Sequence, residues 1–213
     1  MLAACVHVEQ TLSLNQDGSG TLMVQYAMTL EALREIEARL REESASLGEE
    51  VSMPFTFDET QIREDFKEYE AIGVRLEEVA SWEDDARRTV RLKMRFDSLG
   101  ALTQTEFLSD RQLSVRRLND GSMEFTQIAP PSDSMMADVA DLMRELMEGF
   151  RAVLRVETPT DIIDSNADFA EARVACWIFD VARDPDALMR AQKLDLRVRF
   201  AAGNPPMPEF PPN

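Results

Sequence analysis

The chain has 213 residues, enough for one generous domain or two small ones, and its 30% charged and 44% apolar residues give a globular balance. Forty acidic residues against 23 Lys plus Arg leave a formal charge of −17, which argues against a nucleic-acid binder, because phosphate neutralisation needs a basic surface. One histidine and two cysteines exclude His-rich zinc sites, four-thiolate metal sites and a disulfide scaffold, and no run approaches the roughly 18 apolar residues of a membrane-spanning helix.

Met1-Leu2-Ala3-Ala4-Cys5 has the form of a bacterial lipobox: Leu, two small residues, Cys. Small side chains there let a signal peptidase take an extended backbone before a diacylglyceryl cysteine. Cleavage makes Cys5 the mature N-terminus. Two or more acyl chains, at ~0.8 kcal/mol per buried carbon, hold a protein stably on a bilayer. Four residues cannot supply a basic n-region and an apolar h-region, so this reading expects a longer precursor upstream of Met1. In the alternative, Leu2-Ala3-Ala4-Cys5 opens a buried strand, and a chain that starts at Met1 is cytoplasmic.

Val6 to Leu14 alternates apolar and polar residues, the period of a half-buried strand. The turn Asn15-Gln16-Asp17-Gly18-Ser19-Gly20, whose glycines can take positive φ, leads into a returning strand, Thr21 to Met28. Thr29 is a plausible N-cap for a helix with Leu33, Ile36, Leu40 and Leu47 on one stripe. Residues 48–57 read as a loop. Asp58 caps a second helix with Ile62, Phe66 and Tyr69 apolar, stopped by Gly73. Val74 to Trp82 and Thr89 to Phe96 form the next hairpin around Glu83-Asp84-Asp85, and a short amphipathic helix covers Leu99 to Leu108.

Leu113 to Leu118 and Ser122 to Ile128 form a third hairpin, turned by Asn119-Asp120-Gly121. After Pro130-Pro131 a methionine-rich helix runs over residues 132–149. Its stripe is Val139, Leu142, Met143, Leu146 and Phe150, adjoined by Met135, Met136 and Met147. Phe150 to Glu157 and the very apolar Ala172 to Val181 are strands, Asp184-Pro185 caps one helical turn, and Leu194 to Phe200 is the last strand.

Short turns join antiparallel neighbours, so the pattern predicts an α+β fold: a curved antiparallel sheet built of hairpins, with three or four helices covering one face. Residues 1–5 are the remnant of a signal peptide, 6–202 form a single domain, and the Pro-rich 203–213 form a disordered tail.

Assembled this way, the chain resembles the LppM-type domain of bacterial lipoproteins. The resemblance rests on Cys5 followed at once by a strand and the Asn15–Gly20 turn, on the helix after that hairpin, and on the segment from Phe150. That segment holds Thr158-Pro159, Asp164-Ser165-Asn166 and the strand through Trp177. Its corner reads Asn166-Ala167 where the family favours Asn-Gly. The resemblance implies an envelope lipoprotein with an α+β domain that could serve as a hydrophobic-cavity scaffold. It brings no active-site residue.

The acidic stretch 31–85 holds 18 Asp plus Glu against six Lys plus Arg and reads first as solvated helix faces. Arg91, Lys93 and Arg95 share a strand face opposite Val90, Leu92, Met94 and Phe96. Lipid phosphates could meet them, but pairing with the acidic helices is the favoured reading. Met135, Val139, Leu142, Met143 and Leu146 on the late helix, with Trp177 and Phe179 on the apolar strand, are candidate walls of a ligand pocket, although core packing is their default role. Cys176 reads as an inert, buried thiol. No nucleophile elbow, phosphate-cradling loop or zinc-binding helix appears, so no catalytic residue, metal or cofactor is assigned.

The expectation is a non-catalytic lipoprotein of the bacterial cell envelope, anchored to the membrane through acylated Cys5, that binds a lipid-like ligand or a protein partner and no nucleic acid. A soluble, acidic interaction module without a cavity is the alternative, and a carboxylate-dependent enzyme the third reading.

Overall fold

The computed structural model describes residues 6–47, 56–109, 111–129, 149–184 and 186–212. Strand β1 (Val6–Leu14) pairs antiparallel with β2 (Gly20–Thr29), from Val6 opposite Met28 to Leu14 opposite Gly20. The alternation does what its period requires: Leu12, Leu14, Leu22, Val24 and Met28 enter the core, while odd-numbered residues face outward. Gly20 is needed for close approach. A Cβ there would overlap the Ser13 carbonyl oxygen and lie 2.5 Å from Cζ of Phe96.

Thr29 caps helix α1 (Leu30–Leu47), its Oγ1 accepting the Ala32 N–H at 3.3 Å. Leu33 is buried beneath α1, and Ile36 packs against the same core; the side chains of Leu40 and Leu47 lie outside the described residues. Asp58 caps α2 (Glu59–Asp65) by accepting the N–H groups of Thr60 and Gln61 at 2.7 and 3.2 Å. The helix expected through Tyr69 divides at Phe66, and α3 (Lys67–Glu70) follows. Gly73, at φ +91°, ends it in the left-handed conformation that glycine tolerates.

The second hairpin, β3 (Val74–Glu83) with β4 (Arg87–Phe96), carries a bulge between Leu76 and Glu78. The helix after it is shorter than expected. Ser98 caps α4 (Leu99–Leu102), and turns carry the chain onward to Leu108. The third hairpin joins β5 (Gln112–Arg117) to β6 (Met123–Ile128), with the Leu118 N–H bonded to the Ser122 carbonyl at 2.8 Å. After it come β7 (Arg151–Glu157), β8 (Ile162–Ser165), β9 (Phe169–Glu171), β10 (Val174–Asp180), helix α5 (Ala187–Gln192) and β11 (Asp195–Phe200).

These strands form two sheets where one was expected. The larger has the order β3-β4-β2-β1-β7-β10-β9, the smaller β5-β6-β11-β8. Within the large sheet β1 and β7 run parallel, from His7 opposite Arg151 to Ser13 opposite Glu157, so the sheet is mixed. Short turns reveal only sequential neighbours. The parallel pair is joined by a long excursion, as a parallel connection must be. The short strands β8 and β9 were not anticipated, because four and three residues are too few to show a period.

The inner faces of both sheets supply one contiguous core. Leu12, Leu22, Leu92, Met94 and Phe96 come from the large sheet, and Leu113, Met123, Phe125, Leu196 and Phe200 from the small one. The tail is packed, contrary to expectation. Met207 is only 2% exposed, and Nε2 of Gln16 donates to the carbonyls of Ala202 and Pro205 at 2.7 and 2.6 Å. Proline-rich composition conceals this because the prolines flank a buried anchor, Met207, and a half-buried one, Phe210, that hold the segment down.

Candidate functional site

The outward face of the small sheet presents three cross-strand rows set by its register. Arg116, Glu124 and Arg199 form one cross-strand row, Ser114, Thr126 and Arg197 the next, and Gln112, Ile128 and Asp195 the third. The charges are paired locally. Arg116 Nε and Nη2 donate to Oε1 of Glu124 at 2.8 and 2.5 Å, and the Arg197 guanidinium donates to both oxygens of Asp195 at 2.9 and 2.7 Å. Those hydrogen bonds, and then the carboxylate charge, raise the Arg197 pKa above its ordinary value. In the middle row the Ser114 and Thr126 hydroxyls lie 2.6 Å apart.

The tail builds the wall of this face. Val115 and Phe210 form an antiparallel bridge on the outer edge of β5, and the Glu209 carboxylate accepts the Arg117 N–H at 2.7 Å. Phe210, Pro211 and Pro212 then flank the sheet. They close an open groove of about 750 Å³ whose lining includes Ser114, Thr126, Ile128 and Arg197. The groove therefore runs from the Arg116–Glu124 pair through hydroxyls to Ile128 and Pro212, with the Arg197–Asp195 pair bordering that end, a mixed polar and apolar lining that suits an amphipathic occupant. The proline-rich composition of the tail, which predicts an unpacked segment, conceals this wall. The available signal was Met207 and Phe210, two large apolar residues in a segment otherwise small or polar.

Of the seven expected pocket residues, Met135, Val139, Leu142, Met143 and Leu146 lie outside the described residues, as do the helix over 132–148 and Cys5. Trp177 and Phe179 come together on the inner face of β10. They share a cleft of about 260 Å³ with Asn166, Met189, Arg190 and Leu196. Trp177 Nε1 donates to Oδ1 of Asn166 at 3.2 Å, the Arg190 guanidinium lies 5.5 Å from the Phe179 ring centre, and Asp184 pairs with Arg190 at 2.9 Å. Both aromatic rings are almost wholly buried, so they floor the cleft and present little surface to it.

The basic stretch on β4 pairs with the neighbouring strand and not with the acidic helices. Arg91 reaches diagonally to Glu78, which stands opposite Lys93, and Lys93 meets Glu77, the extra residue of the bulge, each at 2.9 Å. Cys176 is half-buried, and burial pushes its thiol pKa up, as befits a poor nucleophile. Among the described residues no group of three or more His, Cys, Asp or Glu gathers as a metal site, and no helix is long and apolar enough to cross a membrane.

No family model and no curated protein matches this chain. The folded domain of LppM from Mycobacterium tuberculosis, determined by NMR, is among the solved structures similar to this chain. It is 11% identical over 94% of this chain and 92% of that domain, with a TM-score of 0.49.

Proposed function

We propose that this chain is a binding module of a bacterial cell envelope, tethered through Cys5, that holds an amphipathic, lipid-like ligand in the groove over the small sheet. The carrying observation is the mixed lining: Arg116 with Glu124 at one end, the Ser114 and Thr126 hydroxyls between, and Ile128 with the tail prolines at the other, where Arg197 pairs with Asp195. A ligand's polar head is placed among the hydroxyls and ion pairs and its apolar part against Ile128 and Pro212. The reading assigns the chain no chemical step. The tether is supported by Leu2-Ala3-Ala4-Cys5 directly before β1.

Titration of the isotope-labelled chain with a short-chain monoacylglycerol tests the groove. Shifts concentrated at Thr126, Ile128 and Phe210, abolished in Ile128→Asp, are expected; an unperturbed groove overturns the assignment. Intact mass of the protein from its native host tests the tether, which an unmodified N-terminal methionine would remove.

A second reading, an extended segment of a partner protein in the same groove, is favoured by one observation. The groove wall is itself an extended segment bonded to the edge of β5 through Phe210. Under this reading a chain ending at Met207 gains affinity for extended peptides with an aromatic residue, and the monoacylglycerol shifts are absent.

A further inference from the structure

The outward face of the large sheet distributes its cations unevenly. Arg91, Lys93 and Arg155 each have a carboxylate within 3.0 Å, from Glu78, Glu77 and Glu9. At the end where β1 begins the pairing is poorer. Arg151 and Arg183 share the single carboxylate of Asp180 at 3.7 and 3.5 Å. Arg87 forms no ion pair among the described residues; its Nη1 lies 3.2 Å from Nδ1 of His7.

Register explains how that contact arises. His7 stands beside Arg151 on β7 and opposite Ala27 on β2, while Arg87 enters from β4, opposite Thr29. The Arg87 side chain thus crosses β2, a span of two strand spacings or about 9–10 Å between β4 and β1. A methyl group at Ala27 leaves room for it. Because Nδ1 accepts from a guanidinium that has only donors, the imidazole carries its proton on Nε2. That second N–H has no hydrogen-bond partner among the described residues.

We infer that Arg87, His7 and Arg151 form a seat for a phosphate group at the end of the sheet where β1 begins. Two guanidiniums present planar forks of donors, and the imidazole adds a neutral N–H on the same face. A tetrahedral phosphate, monoester or diester, offers acceptor oxygens to donors arriving from several directions at once, whereas a planar carboxylate offers two in one plane. Arg151 and His7 are both part-exposed, so the group can enter from solvent. The acids facing the seat are Asp180, engaged by two arginines and by the Ala182 N–H, Glu9, paired with Arg155, and Asp84, which accepts the N–H groups of Ala86 and Arg87. Burial and the flanking arginines already hold the imidazole neutral, below its ordinary titration range.

The phosphate could belong to a soluble molecule or to a lipid headgroup. The second source rests on the tether proposed above: His7 is two residues from Cys5, and two extended residues span at most about 7 Å. The seat itself does not depend on that tether.

His7 is the only histidine, so its imidazole gives a single reporter signal in NMR. The full, unlipidated chain is titrated with pH in chloride, in inorganic phosphate, and with phosphatidylglycerol vesicles, at matched ionic strength. An occupying anion favours imidazolium, so the His7 midpoint is expected to move up by about half a pH unit or more. Movement with inorganic phosphate identifies a soluble ligand, and movement with vesicles alone identifies a headgroup. A midpoint unmoved by both overturns the seat.

Arg87→Gln combined with Arg151→Gln is expected to abolish the response, while Arg75→Gln, at the opposite end of the sheet, keeps it. A full response in the double variant also overturns the assignment. Should the double variant not fold, the wild-type titration still decides. The readout is the imidazole, so a groove on the small sheet that takes no ligand leaves it unaffected, and the two readings fail separately.

Discussion

Val115 and Phe210 exchange both backbone hydrogen bonds, each at 2.8 Å, so the C-terminal segment covers the outer edge of β5 as a single-residue strand. An uncovered edge invites pairing with another chain, and a segment bonded there blocks it.

The tail therefore contributes to stability. Met207→Ala is expected to cost about 2–5 kcal/mol in urea unfolding, the range for deleting a buried methionine side chain. Removal of residues 207–213 should cost at least as much and should expose β5 to self-association, visible as a larger species in size-exclusion chromatography. A truncated chain that is equally stable and monomeric would contradict this role.

Asn166 ties the two sheets together. Its Oδ1 accepts from Nε1 of Trp177 at 3.2 Å and from the Arg197 N–H at 2.8 Å, and its Nδ2 donates to the Asp195 carbonyl at 2.7 Å. Asn166→Ala strands the indole N–H of a buried ring and is expected to cost about 2–3 kcal/mol. Trp177→Phe leaves the other two bonds in place. Its packing loss and the one lost hydrogen bond should change the Asn166→Ala cost in a double-mutant cycle, whereas full additivity would show that the two residues are not coupled.

Two glycines of the first hairpin separate two kinds of constraint. Gly18 lies at φ +85°, where a Cβ would meet only the Pro208 ring at an ordinary 3.9 Å, so Gly18→Ala is expected to cost about 1 kcal/mol for the left-handed backbone. Gly20→Ala drives a methyl group into the Ser13 backbone and the Phe96 ring, which the strand pairing holds in place, and should cost about 3 kcal/mol or more. Thermal unfolding of both variants gives the order; a milder effect at Gly20 would refute it.

His7 makes stability depend on pH in a defined direction. Its folded pKa lies below the unfolded value of 6.5, because burial and then Arg87 and Arg151 disfavour the imidazolium. Between the two values the unfolded chain binds more protons. The contribution is complete above pH 6.5 and is lost as pH falls from there toward the folded pKa. In phosphate-free buffer, wild type is expected to lose more melting temperature than His7→Gln over this window. Parallel curves would contradict the neutral imidazole.

Local rules made the hairpins legible. Alternation located β1, β2, β4 and β11, the Asn119-Asp120-Gly121 turn fixed the β5–β6 pair, and Thr29, Asp58 and Gly73 marked helix ends where the structure has them. The phosphate seat was not legible in this way. His7 and Arg151 are far apart in sequence, and nothing in either strand's period reveals that they lie side by side. The groove was hidden for a related reason, since its wall is a tail held by the bridge of Phe210 to Val115, far earlier in the chain.

The amino-acid order by itself determined the polarity of the strand faces in the hairpins and the starts of the helices at Thr29 and Asp58, because side-chain alternation, capping and turn chemistry act over a few residues. Only the tertiary structure decided that β1 and β7 run parallel, that the strands divide into two sheets, and that Phe210 sits on Val115. Those pairings depend on which apolar faces find one another in three dimensions, and a backbone edge accepts any strand whose side chains fit, whatever its distance along the chain.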